Sequence, residues 1–214
     1  MATGAKQSTA ATSKGGQTRG RIVTLALGLF NENGPDRVTT AQIAAAAGIN
    51  EGNLYYHFRT KEALVAAVLD RFEADAMALL AEGTEGTADP AASFGLLERW
   101  FALIWDYRFL LRDMIGLLAL SPDLRLRVRG LSAHLREAVE ALAQRLRERD
   151  LLIVPDEQFQ PLLANLWIVA TYWALYLDLH EGIDALTPDH LAWGLGQVRC
   201  LLRPYLAPSL QALI

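Results

Sequence analysis

The stretch Thr39–Phe58, TTAQIAAAAGINEGNLYYHF, constrains this chain more than any other part of it. Thr39 is a natural helix N-cap, and Gln42, three residues on, can reach back to complete a capping box. Ile43–Ala47 are short and apolar, so the helix they form is thin and packs closely. Gly48 then ends it, because a residue without Cβ tolerates the left-handed backbone of a sharp reversal. Asn50 caps a second short helix. On that helix Leu54 and Phe58 are four apart and share the inward face. At about 100° per residue, Gly52 and Tyr56 lie opposite, with Asn53, Tyr55 and His57 on the flanks.

The outward set is aromatic, hydrogen-bonding and nearly uncharged, and it includes a glycine over which a partner can come close. It suits insertion into a DNA major groove, where a side-chain amide reads base edges and hydroxyls hold phosphates. The plain alternative is a helical hairpin with a solvated polar face. Two adjacent outward tyrosines, Tyr55 and Tyr56, weigh against that.

The segment Thr18–Leu64, with a leading amphipathic helix followed by TTAQIAAAAGI, GNLYYHF and RTKEAL, resembles the DNA-binding domain of the tetracycline-repressor-type (TetR) regulators. The combined spacing is far more specific than a lone helix-turn-helix. The resemblance implies an all-α chain. A three-helix DNA-binding domain spans 18–64, after a disordered tail at 1–17, and a helical effector-binding and dimerisation domain fills 65–214. It also implies that Thr40, Gly52 and Asn53 make contacts within the groove, while Tyr55, Tyr56, His57 and Lys61 grip the phosphate backbone. Ala41 departs from the pattern, since some relatives place a long base-reading side chain there. Glu51 suits either a cytosine amino group or simply the helix N-terminus.

Charge follows the motif. The 214 residues carry a net −4, yet residues 1–64 hold seven Lys or Arg against four acids, a balance of +3 that leaves −7 for the remainder. For a nucleic-acid binder the distribution matters more than the total. Lys6 and Lys14 in the tail add a weak phosphate attraction at most, and Arg19 and Arg21 precede the first helix where they can face phosphate. Cys200, the single cysteine, excludes an intrachain disulfide and reads as a packed side chain. With no apolar run at the N-terminus, a cytoplasmic protein is expected.

The rest reads as helices. Ile22, Leu25, Ala26, Leu29 and Phe30 form an apolar stripe of helical period, ended by Gly34-Pro35. Thr60 caps a helix from Lys61 to about Glu82, followed by a loop over Gly83–Pro90. Phe94–Trp105 carries a wide aromatic face, Phe109–Leu120 is a short helix broken at Ser121-Pro122, and a long amphipathic helix runs to Arg149. Its charged side reads as a solvated face. From Leu162 to Leu179 only Asn165, Thr171 and Asp178 are polar. That run is marginal as a membrane span, which needs about 20 apolar residues, since it is shorter and interrupted. A helix apolar on every side must be buried on both sides. One side can meet the chain's own core, and a second copy of the chain is the simplest cover for the other. Gly194 and Gly196, on a last helix capped by Thr187-Pro188-Asp189, allow another helix close approach, so a homodimer through the last two helices is expected.

No active site emerges. There is no phosphate-cradling glycine loop and no zinc spacing, so no cofactor or metal is expected. The cluster Asp178, His180, Glu181 and Asp184 sits where a helix ends and collects charge for ordinary reasons, and His134 reads as structural. Three readings remain: a dimeric transcriptional regulator, a repressor by preference, that binds a double-stranded DNA operator and a small apolar or aromatic effector; a DNA-binding protein that is structural or controlled by a protein partner; and a helical enzyme. The motif disfavours the third, and the resemblance favours the first. Periodicity places an effector pocket between the fourth helix and the aromatic helices, lined by Met77, Trp100, Ile104, Tyr107, Met114, Tyr172 and Tyr176.

Overall fold

A computed structural model describes residues 14–85, 90–112, 116 and 121–211. Among these residues the regular elements are all helices, and the backbone bridge between Leu152 and Leu206 stays isolated. They are α1 (Lys14–Asn33), α2 (Thr40–Ala46), α3 (Glu51–His57), α4 (Lys61–Glu85), α5 (Pro90–Asp106), α6 (Pro122–Glu148), α7 (Asp156–Glu181), α8 (Pro188–Leu202), a 3-10 turn at Arg203–Tyr205 and α9 (Pro208–Gln211). The all-α architecture follows the sequence: a helix-turn-helix unit at the N-terminal end, then a larger helical body.

Several helix starts are fixed by the side chains that the sequence puts there. Ser121 Oγ accepts from the Leu124 N–H at 3.1 Å, with Pro122 opening α6. Thr60 Oγ1 accepts from the Ala63 N–H at 3.1 Å at the start of α4. Gly34 takes φ +79° just beyond α1, a conformation costly for any side chain. Three boundaries differ from expectation. Lys14–Gln17 belong to α1 instead of to the tail, since residues joining a formed helix need no new nucleus even when two of them are glycine; residues 1–13 lie outside the described residues. The fourth helix continues through Glu85, and 86–89 of the expected loop are likewise outside. Of the expected helix at Phe109–Leu120, residues 109–112 and 116 are described and are helical.

The apolar stripe of α1 builds the first core. Ile22, Ala26 and Phe30 are fully buried there against Leu54, Phe58, Leu64 and Val68. Each of the larger side chains among these contributes roughly 1.5–3 kcal/mol by leaving water. The cluster does not stop at the motif. It continues through Phe72 into Tyr107, Phe109, Leu124, Leu131 and Leu135, with the Phe30 and Phe109 rings 5.6 Å apart. One packed core therefore reaches from the helix-turn-helix into the helical body.

Further along, α7 lies on α8 through an approach that glycine permits. A Cβ on Gly194 would meet the Trp173 indole at 2.6 Å, whereas one on Gly196 would meet nothing within 4 Å. Gly194 is thus occupied by the chain's own α7, and Gly196 faces open space. One side of α7 buries Trp173, Ala174 and Leu177. The other leaves Ile168, Tyr172, Tyr176 and Leu179 exposed, Leu179 at 70%. Cys200 faces outward from α8 and is exposed, which corrects the packed role expected of it.

Candidate nucleic-acid interface

The unit formed by α2, its turn and α3 is held by three local devices. Thr39 Oγ1 accepts from the Gln42 N–H at 3.2 Å while Gln42 Oε1 accepts from the Thr39 N–H at 2.8 Å, a complete capping box. Gly48 reverses the chain with φ +63°. Asn50 Oδ1 then accepts from the Asn53 N–H at 2.8 Å. Leu54 and Phe58 are buried, at 1% and 3%, and this fixes which face of α3 points out.

That face carries Gly52, Asn53, Tyr55 and Tyr56, all exposed, with His57 half-buried beside them. Tyr56 is 83% exposed and its ring meets that of His57 edge-on at 5.2 Å. Thr40 joins the group from α2: its hydroxyl lies 3.2 Å from Tyr55 Oη and 3.5 Å from Glu51 Oε2. Six of the seven expected contact residues therefore form one surface. Gly52 has no internal reason to be glycine, since a Cβ there would meet only Asn50 Oδ1 at 3.4 Å. Its smallness opens room outside the protein.

Lys61, the seventh, is placed differently. Its ammonium donates to the carbonyls of Pro35 at 2.9 Å and Val38 at 3.5 Å, tying the loop before α2 to the start of α4. Two more cations make contacts within the chain while staying exposed. Arg21 donates to the Ala47 carbonyl at 2.9 Å, satisfying the end of α2, and the Arg19 guanidinium stacks on Phe58 at 4.2 Å. Both arginines can face phosphate on the sequence reading, and both remain exposed here. Arg37 and Arg59 are likewise exposed, in the flanking segments.

The helical body encloses a cavity of about 890 Å³ between α4, α5, α6, α7 and the C-terminal segment. Of the side chains that periodicity pointed to, Trp100, Ile104, Tyr107 and Tyr172 line it. Met77 does not: it is 38% exposed on the outer side of α4. Neither does Tyr176, whose ring stacks on Trp193 at 5.9 Å on the outward face of α7 and α8. Helical period identifies a face but not the neighbour that covers it, hence both misplacements. Met114 lies outside the described residues.

Tyr107 is the polar anchor of the cavity wall. Its hydroxyl donates to Asp75 Oδ2 on α4 at 2.6 Å. Burial, and then the Asp75 carboxylate that accepts its proton, push the phenol well above its ordinary range, so it stays protonated. A second link crosses from α6 to α4, where Arg127 donates to Glu73 at 2.6 Å and also pairs with Asp70, and His134 Nδ1 lies 2.8 Å from Glu73. A third joins α1 to the turn after α5. The side chain of Asn31 donates to the Asp106 carbonyl at 2.8 Å and accepts from the Phe109 N–H at 3.1 Å. None of these three links is visible in sequence, because their partners lie far apart along the chain.

Comparison with known proteins matches this arrangement at both ends. Residues 22–68 fit the family model for bacterial regulatory proteins of the tetR family, and residues 71–213 fit the TetR model for bacterial transcriptional repressors. The HTH-type transcriptional regulator UidR of Escherichia coli (strain K12) is 38% identical over 69 residues, 32% of this chain and 35% of that protein. The HTH-type transcriptional repressor KstR2 of Mycobacterium tuberculosis (strain CDC 1551 / Oshkosh) is 34% identical over 98 residues, 42% of this chain and 49% of that one. The chain thus spans about a third to a half of the length of these curated relatives. Among solved structures, a TetR-family transcriptional regulator from Marinobacter aquaeolei VT8 superposes with a TM-score of 0.77 at 30% identity, covering 91% of this chain and 94% of that one. A TetR-family regulator from Agrobacterium tumefaciens shares the fold at 18% identity, with a TM-score of 0.72 over 91% of this chain and 100% of that one.

Proposed function

The chain belongs to the TetR family of bacterial transcriptional regulators, and we propose that it acts as a homodimeric repressor, released from a near-palindromic operator by a small apolar effector. The observation that carries this reading is the outward face of α3. Asn53, Tyr55 and Tyr56 stand exposed together around Gly52 on a helix whose orientation is set by buried Leu54 and Phe58. Asn53 and Gly52 reach base edges from the groove, with Thr40 beside them. Tyr55, Tyr56 and His57 hold phosphates, and Lys61 supports the same strand from the start of α4 while bracing the loop before α2. Residues 18–64 form the DNA-binding unit, and 65–214 the effector-binding and dimerisation unit, of a cytoplasmic protein.

Dimerisation is supported by the uncovered apolar face of α7, continued on α8 by Trp193 and by open backbone at Gly196. A two-fold dimer presents two α3 helices, so operator half-sites lie roughly one helical turn apart. The apolar cavity favours a small-molecule effector over control by a protein partner. The test is selection of DNA fragments by the purified protein, followed by light scattering of the complex. A near-palindromic site carrying two or more chains is expected. No enriched sequence, or a single chain on an asymmetric site, overturns the reading.

A further inference from the structure

We infer that the cavity takes a linear acyl chain ending in an anionic head group, the head held by Arg129 and Arg136 on α6. This rests on the effector role proposed above and names the chemistry of that effector.

Shape is the first ground. The cavity wall follows α6 from Arg125 to Leu146. At 1.5 Å per residue that run is about 30 Å long, enough for an extended hydrocarbon chain to lie beside it. The far end of the cavity, at Leu146, Leu152, Leu206 and Leu210, is entirely aliphatic.

Charge is the second. Among the described residues the cavity is lined by four arginines, Arg125, Arg129, Arg136 and Arg199, and by no carboxylate. Arg199 is paired with Glu98 at 2.6 Å, and Arg125 is also engaged. Arg129 and Arg136 have no hydrogen-bond or ion-pair partner among the described residues. Both are exposed while lining the cavity, so the space opens to water along this edge of α6. Ser132 stands between them on the same helical stripe, at the i, i+3 and i+7 spacing that aligns three side chains. Neighbouring Arg127, by contrast, faces away to grip Asp70 and Glu73 on α4. Two unpaired guanidiniums and a hydroxyl at the mouth of an aliphatic tunnel recognise a carboxylate or phosphate, not a neutral or cationic end.

The test uses the full-length protein and a fluorescent polyene fatty acid as the bound probe, displaced by hexadecanoate, by its coenzyme A thioester and by hexadecanol. Hexadecanoate is expected to displace the probe from one site per chain at least tenfold more tightly than hexadecanol. The variant carrying Arg129→Ala and Arg136→Ala is expected to bind hexadecanoate about tenfold more weakly and hexadecanol unchanged, with rescue by lysine at both positions. The free acid or the thioester can be the tighter competitor; either supports the inference and identifies the head group. Equal affinity for hexadecanoate and hexadecanol, no change in the double variant, or no binding of the probe overturns it. Operator binding by the same preparation is read separately. Its loss with acyl binding intact rejects the regulatory reading alone, and the converse rejects this ligand class alone.

Discussion

Phe109 donates its backbone N–H to the side-chain oxygen of Asn31 at 3.1 Å, across 78 residues of chain. The nitrogen of the same amide donates to the Asp106 carbonyl at 2.8 Å, so α1 holds both sides of the turn that carries Tyr107. Tyr107 lines the cavity and is itself bonded to α4. The cavity wall is therefore attached to the helix-turn-helix unit by two routes, one through α4 and one through α1. Displacement of this turn by a ligand reaches both.

Replacing Tyr107 by Phe removes a hydrogen bond to a carboxylate, which costs roughly 1.5–3 kcal/mol, toward the lower end because Asp75 is half exposed. The pH dependence has a definite sign. The folded-state pKa lies above the ordinary value of 10.0, so the stabilisation is fully present below about pH 10 and is lost as the unfolded chain ionises above it. Denaturant unfolding of both proteins from pH 7 to 11 checks this. The gap between them is expected to stay constant to about pH 10 and then to narrow.

On operator DNA, Asn53→Ala is expected to relax base preference, costing about 1–3 kcal/mol on the selected site, with folding stability unchanged because the side chain is exposed. Lys61→Ala is expected to weaken all sequences alike and to reduce the salt slope by about one unit. Since Lys61 also braces Pro35 and Val38, its loss should lower the melting temperature as well. Anisotropy titrations on specific and scrambled duplexes across a salt series separate the two. A change of preference from Lys61→Ala without a change in salt slope refutes these roles.

The two glycines of α8 should behave oppositely. Gly194→Ala forces Cβ into the Trp173 ring, whose position is fixed by burial, and should cost about 1–3 kcal/mol at every protein concentration. Gly196→Ala disturbs nothing within the chain, so any loss it causes should depend on protein concentration. Thermal melts over a hundredfold concentration range distinguish the cases.

Leu179 is 70% exposed on an otherwise apolar face. Leu179→Arg together with Ile168→Arg is expected to give monomers by light scattering at concentrations where the parent chain is dimeric. A parent chain that is monomeric at micromolar concentration, in low and high salt alike, refutes the dimer.

What was legible in the sequence was local. Thr39 with Gln42, Asn50 with Asn53 and Thr60 with Ala63 are capping pairs three residues apart, and each cap forms where it was read. The inward face of α3 was equally clear, because Leu54 and Phe58 leave no other way to bury it. The destinations of the long polar side chains were not legible. Arg21 and Lys61 look like free cations in sequence, yet each satisfies backbone carbonyls 23 to 26 residues away that only the folded turn presents. Tyr176 and Tyr172 sit four apart on one helix, but only Tyr172 reaches the cavity, and that depends on how α7 is rotated against α5 and α6.

The claim at the centre of the account is that an occupied cavity and an occupied operator oppose each other. The direct measurement takes a cavity ligand found by thermal-shift screening and titrates it against the protein with and without saturating operator, in the parent chain and in Asn31→Ala. Linkage requires the operator to weaken ligand binding by the same factor by which the ligand weakens operator binding. The account predicts at least a fivefold weakening, typical of coupled sites, and a smaller factor in Asn31→Ala. Equal ligand affinity with and without operator contradicts it, however tightly the ligand binds.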